Sequence, residues 1–383
     1  MKVLFVPFNY QNPYQPIAAL FFHDQVQALV KSGVQVVILS AVAVPLVAAL
    51  KRRGKGLGLR VWQDKGVDVY QYMFPAMPKS PRINQWLRLR VQKMLYQKLR
   101  QQHEQPDITH VQMFPGGDFA QWLQATQGVP YVVTEHLSGF SQGAYTQWQL
   151  QNARSSYTHA SARIAVSKHL SNTLYDVSEQ AFSVIPNCVD TRLFEPRWHQ
   201  ADEKPNKRDI KRIIHVGRLH PIKQQAMLIR AFAQANLAED VTLTIVGTGE
   251  EESHLKMIIG ELGLQSRITL HGAGSKQQVV DLLAEHDLFV LSSKYETFGV
   301  VLIEAMSMGL PVLSTDCLGA REIITTSDVG TICDNNEQAL AKGLADIASN
   351  NYDPEYIRQF AINHFSDQAV ADQVIATYHS VIN

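Results

Sequence analysis

Two glutamates around an apolar run are the first sign of a chemical site in this sequence. The segment YETFGVVLIEAMSMGLPVLST, residues 295–315, contains Glu296 and Glu304. A carboxylate in an apolar segment is costly to bury unless something binds it. The pattern predicts a buried strand LFVLSS, a loop KYETFG, and a helix VVLIEAMSMG that ends at Gly309 and Pro311. Glu296 is therefore expected in the loop, and Glu304 on the second turn of the helix.

The start of this predicted helix is a candidate anion-binding site. The amides expected there, without a side-chain cap, are those of Thr297, Phe298, Gly299 and Val300. Gly299 would permit close approach of a ligand because it has no side chain. An isolated carboxylate such as Glu304 can accept two hydrogen bonds from vicinal hydroxyls. Glu304 could instead lie on the helix surface, but its apolar neighbours argue against that interpretation.

A second candidate site lies in HVGRLHPIK, residues 215–223. A buried strand is expected to run into Gly217, followed by a loop that contains Arg218 and Lys223. The next helix is predicted to begin near Gln224. Two cations beside a helix N-terminus favour a phosphate or diphosphate, because the amides and the helix dipole add to their charge. A solvated basic loop is the alternative interpretation of this segment taken alone.

Gly247 and Gly249, in VGTGEEE, are a weaker signal. The segment lacks the third glycine of a dinucleotide-binding fingerprint, and its three glutamates would repel a pyrophosphate. The tight turn would let the backbone approach a ligand, or would only reverse the chain.

These segments need a scaffold that brings strand ends together. Short apolar runs alternate with helical patterns, which predicts parallel sheets with helices on both faces. The predicted strands are KVLFVPF, VQVVILS, VDVYQYM, ITHVQMF, PYVVTEH and ARIAVS in the first half, and RIIHVGR, VTLTIVG, RITLHG, LFVLSS, PVLST and VGTICD in the second. We expect an α/β protein with two Rossmann-like, doubly wound domains that face each other across a cleft. Ligands should bind at the carboxyl ends of the strands.

Composition suggests the limits of these domains. The expected N-terminal domain is 1–195, the polar segment 196–210 is a linker, and 211–355 is the C-terminal domain. Helices are expected in 356–383, closing the second domain or reaching back to the first.

Charge divides the chain in the same way. The net charge is zero, yet residues up to Glu195 hold 19 Lys/Arg against 11 Asp/Glu, so the first half is suited to an anionic partner.

The three cysteines lack metal-site spacing and fit reduced thiols in a cytoplasm. The opening MKVLFVPF resembles a strand rather than a secretory signal. We therefore expect a cytoplasmic protein without a bound metal.

Residues 79–100 predict a basic amphipathic helix with seven cations and no acid. The segment 51–60 adds five more cations. One interpretation is peripheral binding to an anionic membrane surface, on the inner face of the cytoplasmic membrane. The other is a core-packing helix with a solvated basic face. Nucleic acid is not expected, because no aromatic stacking platform accompanies the charge.

The second half resembles the retaining glycosyltransferases of family 4, which have the GT-B fold. The resemblance covers about 183–335 and depends on VGRLHPIK, VGTGEE, LFVLSSKYETFGVVLIEAMSMGLPVLST and GAREII, together with IPNCVDTRLFEP before the second domain. In the first half it depends on HDQVQALVKSGVQVVILS and TEH. Many members have paired glycines in the loop after the first strand, where this chain has NYQNPYQPIAAL with Pro13 and Pro16. Cys188 also stands where a glycine is usual.

The resemblance implies roles for individual residues. Arg218 and Lys223 would bind the diphosphate of a nucleotide-sugar, and Glu304 would hold its ribose. Glu296, with the amides of Phe298 to Val300, would face the donor sugar. His136 matches a histidine that lies against the transferred sugar, although a histidine satisfied within its own loop is the alternative.

The implied reaction is transfer of a hexose with retention, from a nucleotide-diphosphate sugar to a glycan or lipid-linked acceptor of bacterial surface polysaccharide or glycolipid synthesis. No Asp-x-Asp pair follows a strand, so the cations would replace a metal and no cofactor is expected. A nucleotide-sugar epimerase is an alternative, with Glu135 and Asp118 as its only acids near strand ends in the first half. A non-catalytic protein that binds sugar nucleotides is another. The base and sugar of the donor, the acceptor and the oligomeric state do not follow from the sequence.

Overall fold

The computed structural model describes residues 1–14, 20–197 and 210–382. Contacts between Cα atoms divide the chain into two compact units. The first unit is Met1–Cys188 with Val370–Asn383, and the second is Val189–Ala369. Most of the predicted linker 196–210 lies outside the described residues.

The first unit is built on an eight-stranded sheet in the order β3-β4-β2-β1-β5-β6-β7-β8. Its strands are β1 (Lys2–Pro7), β2 (Gln35–Pro45), β3 (Gly58–Asp64), β4 (Val67–Ala76), β5 (Ile108–Gln112), β6 (Tyr131–Glu135), β7 (Ala162–Ala165) and β8 (Ser183–Val184). Every neighbouring pair is parallel except β3 and β4. Its helices are Leu20–Lys31, Leu46–Lys51, Pro81–Leu99, Gly117–Gln127, Gln147–His159, Lys168–Ser178 and Asp367–Ile382.

Helices cover both faces of this sheet, because alternate residues of its strands are buried on opposite sides. Val3 and Phe5 pack with Phe22 of the first helix and with Val374 of the last. Leu4 and Val6, on the same strand, pack in a separate cluster with Leu95 and Phe119 from two other helices. This is the doubly wound arrangement that the alternation of runs predicts.

The second unit has a six-stranded sheet in the order β11-β10-β9-β12-β13-β14, and every neighbouring pair is parallel. Its strands are β9 (Arg212–Val216), β10 (Thr242–Val246), β11 (Ile268–Gly272), β12 (Leu288–Leu291), β13 (Val312–Thr315) and β14 (Gly330–Cys333). Its helices are Gln225–Gln234, Glu252–Glu261, Lys276–Glu285, Val300–Ser307, Leu318–Ile323, Glu337–Ser349 and Pro354–Phe365. The strand order reverses between β9, which follows the linker, and β12. Ligands of open parallel sheets bind outside the strand ends at such a reversal.

Each apolar run predicted as a strand is a strand, and the expected two parallel-sheet domains are confirmed. The sequence did not predict the two edge strands of the first sheet, which are the two-residue β8 and β3, the strand that pairs antiparallel with β4. The residues of β3 alternate between partly buried and exposed. Because its polar residues interrupt the apolar ones, it offers no continuous apolar run.

Candidate active site

The loop that follows β9 is held by backbone hydrogen bonds to the loop after β10. Gly217 N donates to Val246 O at 2.9 Å, and Leu219 N donates to Thr248 O at 3.0 Å. A short 3-10 turn, Pro221–Lys223, then leads into the helix that begins at Gln225. The conformation of this loop is thus fixed by the chain itself.

The glycines of VGTG make this contact between loops possible. A Cβ on Gly247 would lie 1.9 Å from Gly217 O, and a Cβ on Gly249 would lie 2.0 Å from Leu219 O. Gly247 also has a φ of +149°, which residues with side chains rarely adopt. The sequence left two interpretations of this turn, approach of the backbone to a ligand or simple reversal of the chain, and the structure shows a contact that neither named, with the backbone of residues 217–219.

Gln225 stabilises the same loop from the first turn of its helix. Its Nε2 donates to Arg218 O at 2.9 Å and lies 3.2 Å from Nε2 of the buried His215. Burial lowers the pKa of His215 to about 4, so its imidazole is neutral at pH 7 and Nε2 can accept. The Arg218 side chain is exposed and forms no ion pair within the part of the chain that the structure describes. Arg218 is therefore a cation on a fixed loop, available to an anionic ligand.

Lys223 and Glu296, predicted separately, form an ion pair between the loops after β9 and β12. Ser293 Oγ donates a further hydrogen bond to Glu296 Oε1 at 2.8 Å. Lys294 N donates to Ile222 O at 2.8 Å, which joins the two loops through the backbone. The side chains of the pair are 24% and 15% exposed, so they can meet a ligand without being fully solvated.

The helix Val300–Ser307 begins as the sequence suggests. Its N-cap is Gly299, with a φ of +100° and no side-chain cap. Phe298 is buried with its ring 5.9 Å from that of Phe365, so only its backbone can contribute to a site. Thr297 and Glu304 are partly buried. The helix therefore presents uncapped amides beside the Lys223–Glu296 pair.

His136 lies in the first unit, directly after β6. It is 9% exposed, and its ring packs 4.9 Å from Phe21 and 5.3 Å from Phe22. Its Nε2 lies 2.7 Å from Gln112 Oε1, and Asn187 is a further side-chain hydrogen-bonding neighbour of the ring. Burial, and secondarily the proximity of His110, lowers the pKa of His136 to about 3. His136 is thus a neutral imidazole at pH 7, held by polar side chains of the first unit.

The two acids considered for an epimerase have structural partners. Glu135 is fully buried and accepts hydrogen bonds from the amides of Phe114, His136 and Leu137 at 2.9–3.0 Å. Tyr157 Oη adds a fourth at 2.8 Å. Asp118 accepts from Gln85 Nε2 at 2.9 Å. Glu135 therefore fixes the loops after β5 and β6 rather than standing ready to exchange protons.

Sequence reasoning missed the polar residues that support these groups. His215, Ser293 and Gln225 in the second unit, and His110 and Gln112 in the first, were not singled out. The available signal was a polar side chain inside a run otherwise suited to a buried strand, as in ITHVQMF and RIIHVGR.

Two features are absent from residues 1–14, 20–197 and 210–382. No group of three or more His, Cys, Asp or Glu side chains in these ranges could hold a metal ion. Among the helices described, none has the length and apolar character needed to cross a bilayer.

Comparison with known proteins identifies the relatives of this chain. The family model Glycosyltransferase Family 4 matches residues 18–193, and Glycosyl transferases group 1 matches residues 196–364. A putative teichuronic acid biosynthesis glycosyltransferase, TuaC from Bacillus subtilis, is 26% identical over 361 residues, covering 90% of this chain and 88% of that protein.

Solved structures share the fold over the whole chain. Sucrose-phosphate synthase from Thermosynechococcus elongatus has a TM-score of 0.76 at 18% identity, covering 100% of this chain and 99% of that one. Anabaena HepE in complex with UDP and glucose has a TM-score of 0.72 at 20% identity, covering 99% and 100%. The expected GT-B fold is thereby confirmed. With the two family models together spanning most of the sequence, the chain belongs to the glycosyltransferases, with Glycosyltransferase Family 4 as its first part and Glycosyl transferases group 1 as its second.

Proposed function

We propose that this glycosyltransferase is a retaining enzyme that transfers a hexose from a nucleotide-diphosphate sugar to a glycan or lipid-linked acceptor in bacterial surface polysaccharide or glycolipid synthesis. The observation that carries the proposal is the Lys223–Glu296 pair, which lies beside the uncapped amides of Gly299 and Val300 where the strand order reverses. HepE, a protein of the same fold, was crystallised with UDP and glucose. TuaC is named for teichuronic acid, which favours a surface polymer.

The donor would bind by charge and by its hydroxyls. Arg218 and Lys223 hold the diphosphate, helped by the amides of Phe298 to Val300, because cations and a helix start both favour an anion. Glu304 accepts hydrogen bonds from the ribose diol. Glu296, already adjacent to Lys223, orients the donor sugar near the phosphate.

Catalysis follows from where charge develops. As the bond between the anomeric carbon and the phosphate oxygen breaks, negative charge grows on the diphosphate, and Arg218, Lys223 and the amides stabilise it. The departing phosphate oxygen takes the proton of the acceptor hydroxyl, whose oxygen forms the new bond on the same face. This route keeps the anomeric configuration, assigns no nucleophilic role to Glu296 and uses no metal.

The epimerase alternative is weaker on this structure. It needs an acid and a base free to exchange protons with the sugar. Glu135 is fully buried with four hydrogen-bond donors around one carboxylate. A non-catalytic sugar-nucleotide binder stays an alternative, which release of free nucleotide diphosphate only in the presence of an acceptor would exclude.

We further propose a cytoplasmic enzyme that binds the anionic inner membrane surface through residues 79–100. Ile83, Trp86 and Met94 of the helix Pro81–Leu99 are 43–51% exposed. Apolar side chains interleaved with cations suit such a surface, where a lipid-linked acceptor would be held.

The donor site is tested with a thermal-shift panel of nucleotide-sugars, followed by kinetics of the best donor. Glu304→Ala should raise the KM for the donor by about tenfold, as expected for loss of a hydrogen bond to a charged group. Arg218→Ala and Lys223→Ala should lower kcat by about 100–1,000-fold at saturating donor. Lys256→Ala, an exposed lysine of the same unit, is the matched control and should keep full activity.

Loss of Lys223 also leaves Glu296 unpaired, so a double variant is needed. If Lys223 only balances Glu296, then Lys223→Gln combined with Glu296→Gln should be as active as Glu296→Gln alone. If Lys223 stabilises the diphosphate, the double variant should be much slower than Glu296→Gln alone. Full activity of Lys223→Ala with saturating donor would refute the diphosphate assignment.

A further inference from the structure

Exposed apolar side chains are concentrated in one stretch of the first unit. Fifteen large apolar side chains are exposed among the residues that the structure describes, and nine of them lie between residues 46 and 94. The two most exposed of the fifteen are Val47 and Leu50, at 66% and 68%. Single apolar side chains on a surface need no explanation, whereas a concentrated patch marks an interaction site.

The helix that carries these two side chains stands on an extension of the first sheet beyond its carboxyl edge. Phe5 of β1 pairs with Ile38 of β2, and β1 ends two residues later, whereas β2 continues for seven residues to Pro45. β4 keeps pairing with β2 over this extension as far as Ala76. The two strands therefore outrun β1 by five residues, about 16 Å at the usual rise of a strand. The helix Leu46–Lys51 follows directly.

The extension has a small core of its own, which holds the helix in place. This cluster, separate from the main cores, consists of Val42, Val44, Ala49 and Met73. Tyr14 Oη donates to Lys55 O at 2.8 Å, which fixes the turn after the helix. Because Ala49 faces the small core, the folded helix directs its two most exposed side chains toward solvent. We call residues 45–55 the tip.

The tip is positively charged and has no acid near it in the sequence. Its exposed cations are Lys51, Arg52, Arg53 and Lys55. No Asp or Glu occurs from residue 25 to 63 or from residue 69 to 103. Charged residues, lysine among them, are depleted from the centre of protein–protein interfaces. An apolar point beside four cations suits an anionic bilayer instead, since apolar groups enter the acyl boundary and cations meet the headgroups.

Met77 connects the tip to the helix Pro81–Leu99. It follows the last residue of β4, which pairs with the first residue of the tip. Met77 N donates to Asn84 Oδ1 at 2.7 Å, and Asn84 Nδ2 donates to Met77 O at 2.9 Å. Met77 and Ile83 are both exposed. The tip and the exposed face of this helix therefore adjoin within the first unit.

We propose that the tip inserts Val47 and Leu50 into an anionic bilayer, with its four cations on the headgroups, and that the acceptor is lipid-linked rather than a soluble glycan. Ligands of open parallel sheets bind outside the carboxyl ends of the strands, and the tip projects from that edge of the first sheet. A bilayer at the tip would thus present an anchored acceptor to this edge. The acceptor class rests on the proposed function, whereas insertion does not. The tip adds a point of insertion to the basic helix of residues 79–100.

Sedimentation of the full chain with vesicles of phosphatidylglycerol and phosphatidylethanolamine tests the tip. Val47→Ser with Leu50→Ser should weaken binding by about 10–100-fold, because two apolar side chains no longer leave water. Met257→Ser with Leu262→Ser makes the same kind of change on exposed residues of the second unit and should bind as wild type does. Equal binding of the tip variant and wild type would overturn the proposal. A changed mass of that variant in light scattering would then assign the patch to contact between copies of this chain.

A fluorophore at the tip reports insertion directly. Cys188 and Cys317 are buried, so Leu50→Cys in a Cys333→Ser background offers one accessible thiol for labelling. On vesicles that carry a nitroxide in the acyl chains, this label should be quenched. A label on Met257→Cys in the same background should not be. Vesicle binding without quenching at residue 50 would show adsorption by charge alone and would overturn insertion.

Sugar transfer tests the acceptor class. The best donor of the thermal-shift panel, radiolabelled in its sugar, is supplied with vesicles of a total bacterial lipid extract. The tip variant should lower the label in butanol-extracted lipid by about 10–100-fold and keep wild-type affinity for the donor. Label found only in soluble polysaccharide, or equal label in lipid for both proteins, would overturn the lipid-linked acceptor. If no donor gives transfer to either fraction, the proposed function fails, while sedimentation and quenching still decide insertion.

Discussion

Gly247 and Gly249 allow the loop that carries Arg218 to pack against the turn after β10. Their missing side chains admit the backbone of residues 217–219, and that loop carries Arg218. In the interpretation favoured here, these glycines act on the donor through the loop rather than by touching the phosphate. Gly249 is the better position to test, because a Cβ there would only clash with Leu219 O, whereas a side chain at Gly247 would also strain the backbone.

We expect Gly249→Ala to destabilise the second unit by about 1–3 kcal/mol, the usual cost of overpacking. The backbone of Leu219 cannot yield as a flexible side chain would, so Arg218 should shift and donor binding should weaken as well. Gly260→Ala is the control, since its Cβ would meet only Gln265 Nε2 at 3.8 Å. In the helix Glu252–Glu261 it should stabilise the protein by about 1 kcal/mol. Chemical denaturation measures the free energy of unfolding, and calorimetric titration measures the affinity for UDP. Equal values of both quantities for Gly249→Ala and Gly260→Ala would contradict the interpretation.

At this scale, sequence reasoning could find the chemical groups but not their pairing. Lys223 and Glu296 were singled out because each lies in a loop between a predicted strand and the start of a predicted helix. That they form an ion pair depends on β9 and β12 being neighbours in the sheet, although β10 and β11 separate them in sequence. His136 was singled out by resemblance, whereas Gln112 and His110 required the register of β5 and β6.

Among the elements, the helix Pro81–Leu99 contains five of the seven cations of residues 79–100, and they lie in two environments. Arg88 is buried, where its guanidinium donates to Ala41 O at 2.6 Å and Phe8 O at 3.0 Å. Burial lowers its pKa to about 10, so it remains charged at pH 7. Leu95 and Tyr96 pack in the core of the first unit. The core-packing interpretation of this helix is therefore correct for one face, and the membrane proposal concerns the other.

We expect Arg82→Gln with Arg90→Gln to weaken binding to vesicles of phosphatidylglycerol and phosphatidylethanolamine by about 30-fold, at roughly 1 kcal/mol for each cation. Both arginines are exposed on the face that carries Ile83 and Trp86. Lys256→Gln with Lys342→Gln makes the same change of charge on exposed residues of the second unit and should not reduce sedimentation with vesicles. Wild-type binding that is insensitive to salt, or equal for vesicles of phosphatidylcholine alone, would rule out the proposed surface.

Over the whole molecule, the chain builds one α/β unit, then a second, and adds its last residues to the first. Val370, Ala371, Val374 and Tyr378 belong to the apolar core of the first unit together with Phe5 and Phe22. Helical periodicity predicts that the last segment is a helix. It cannot predict which core receives the apolar face, because both units offer helix-covered parallel sheets of similar composition. The observed attachment makes the stability of the first unit depend on the end of the chain.

We expect Val374→Ala to destabilise the first unit by on the order of 2–4 kcal/mol, because it leaves a cavity in a fully buried position. A chain that stops at Ala369 loses this contact and Tyr378 together, a loss comparable to the whole stability of a small domain. Hydrogen exchange followed by mass spectrometry locates the effect. Exchange should rise in Lys2–Pro7 and Ile108–Gln112 and stay unchanged in Arg212–Val216 of the second unit. His379→Ala, on the exposed face of the same helix, should alter stability by less than about 0.5 kcal/mol. If exchange rises in the second unit instead, or in neither unit, the C-terminal helix does not support the core of the first unit.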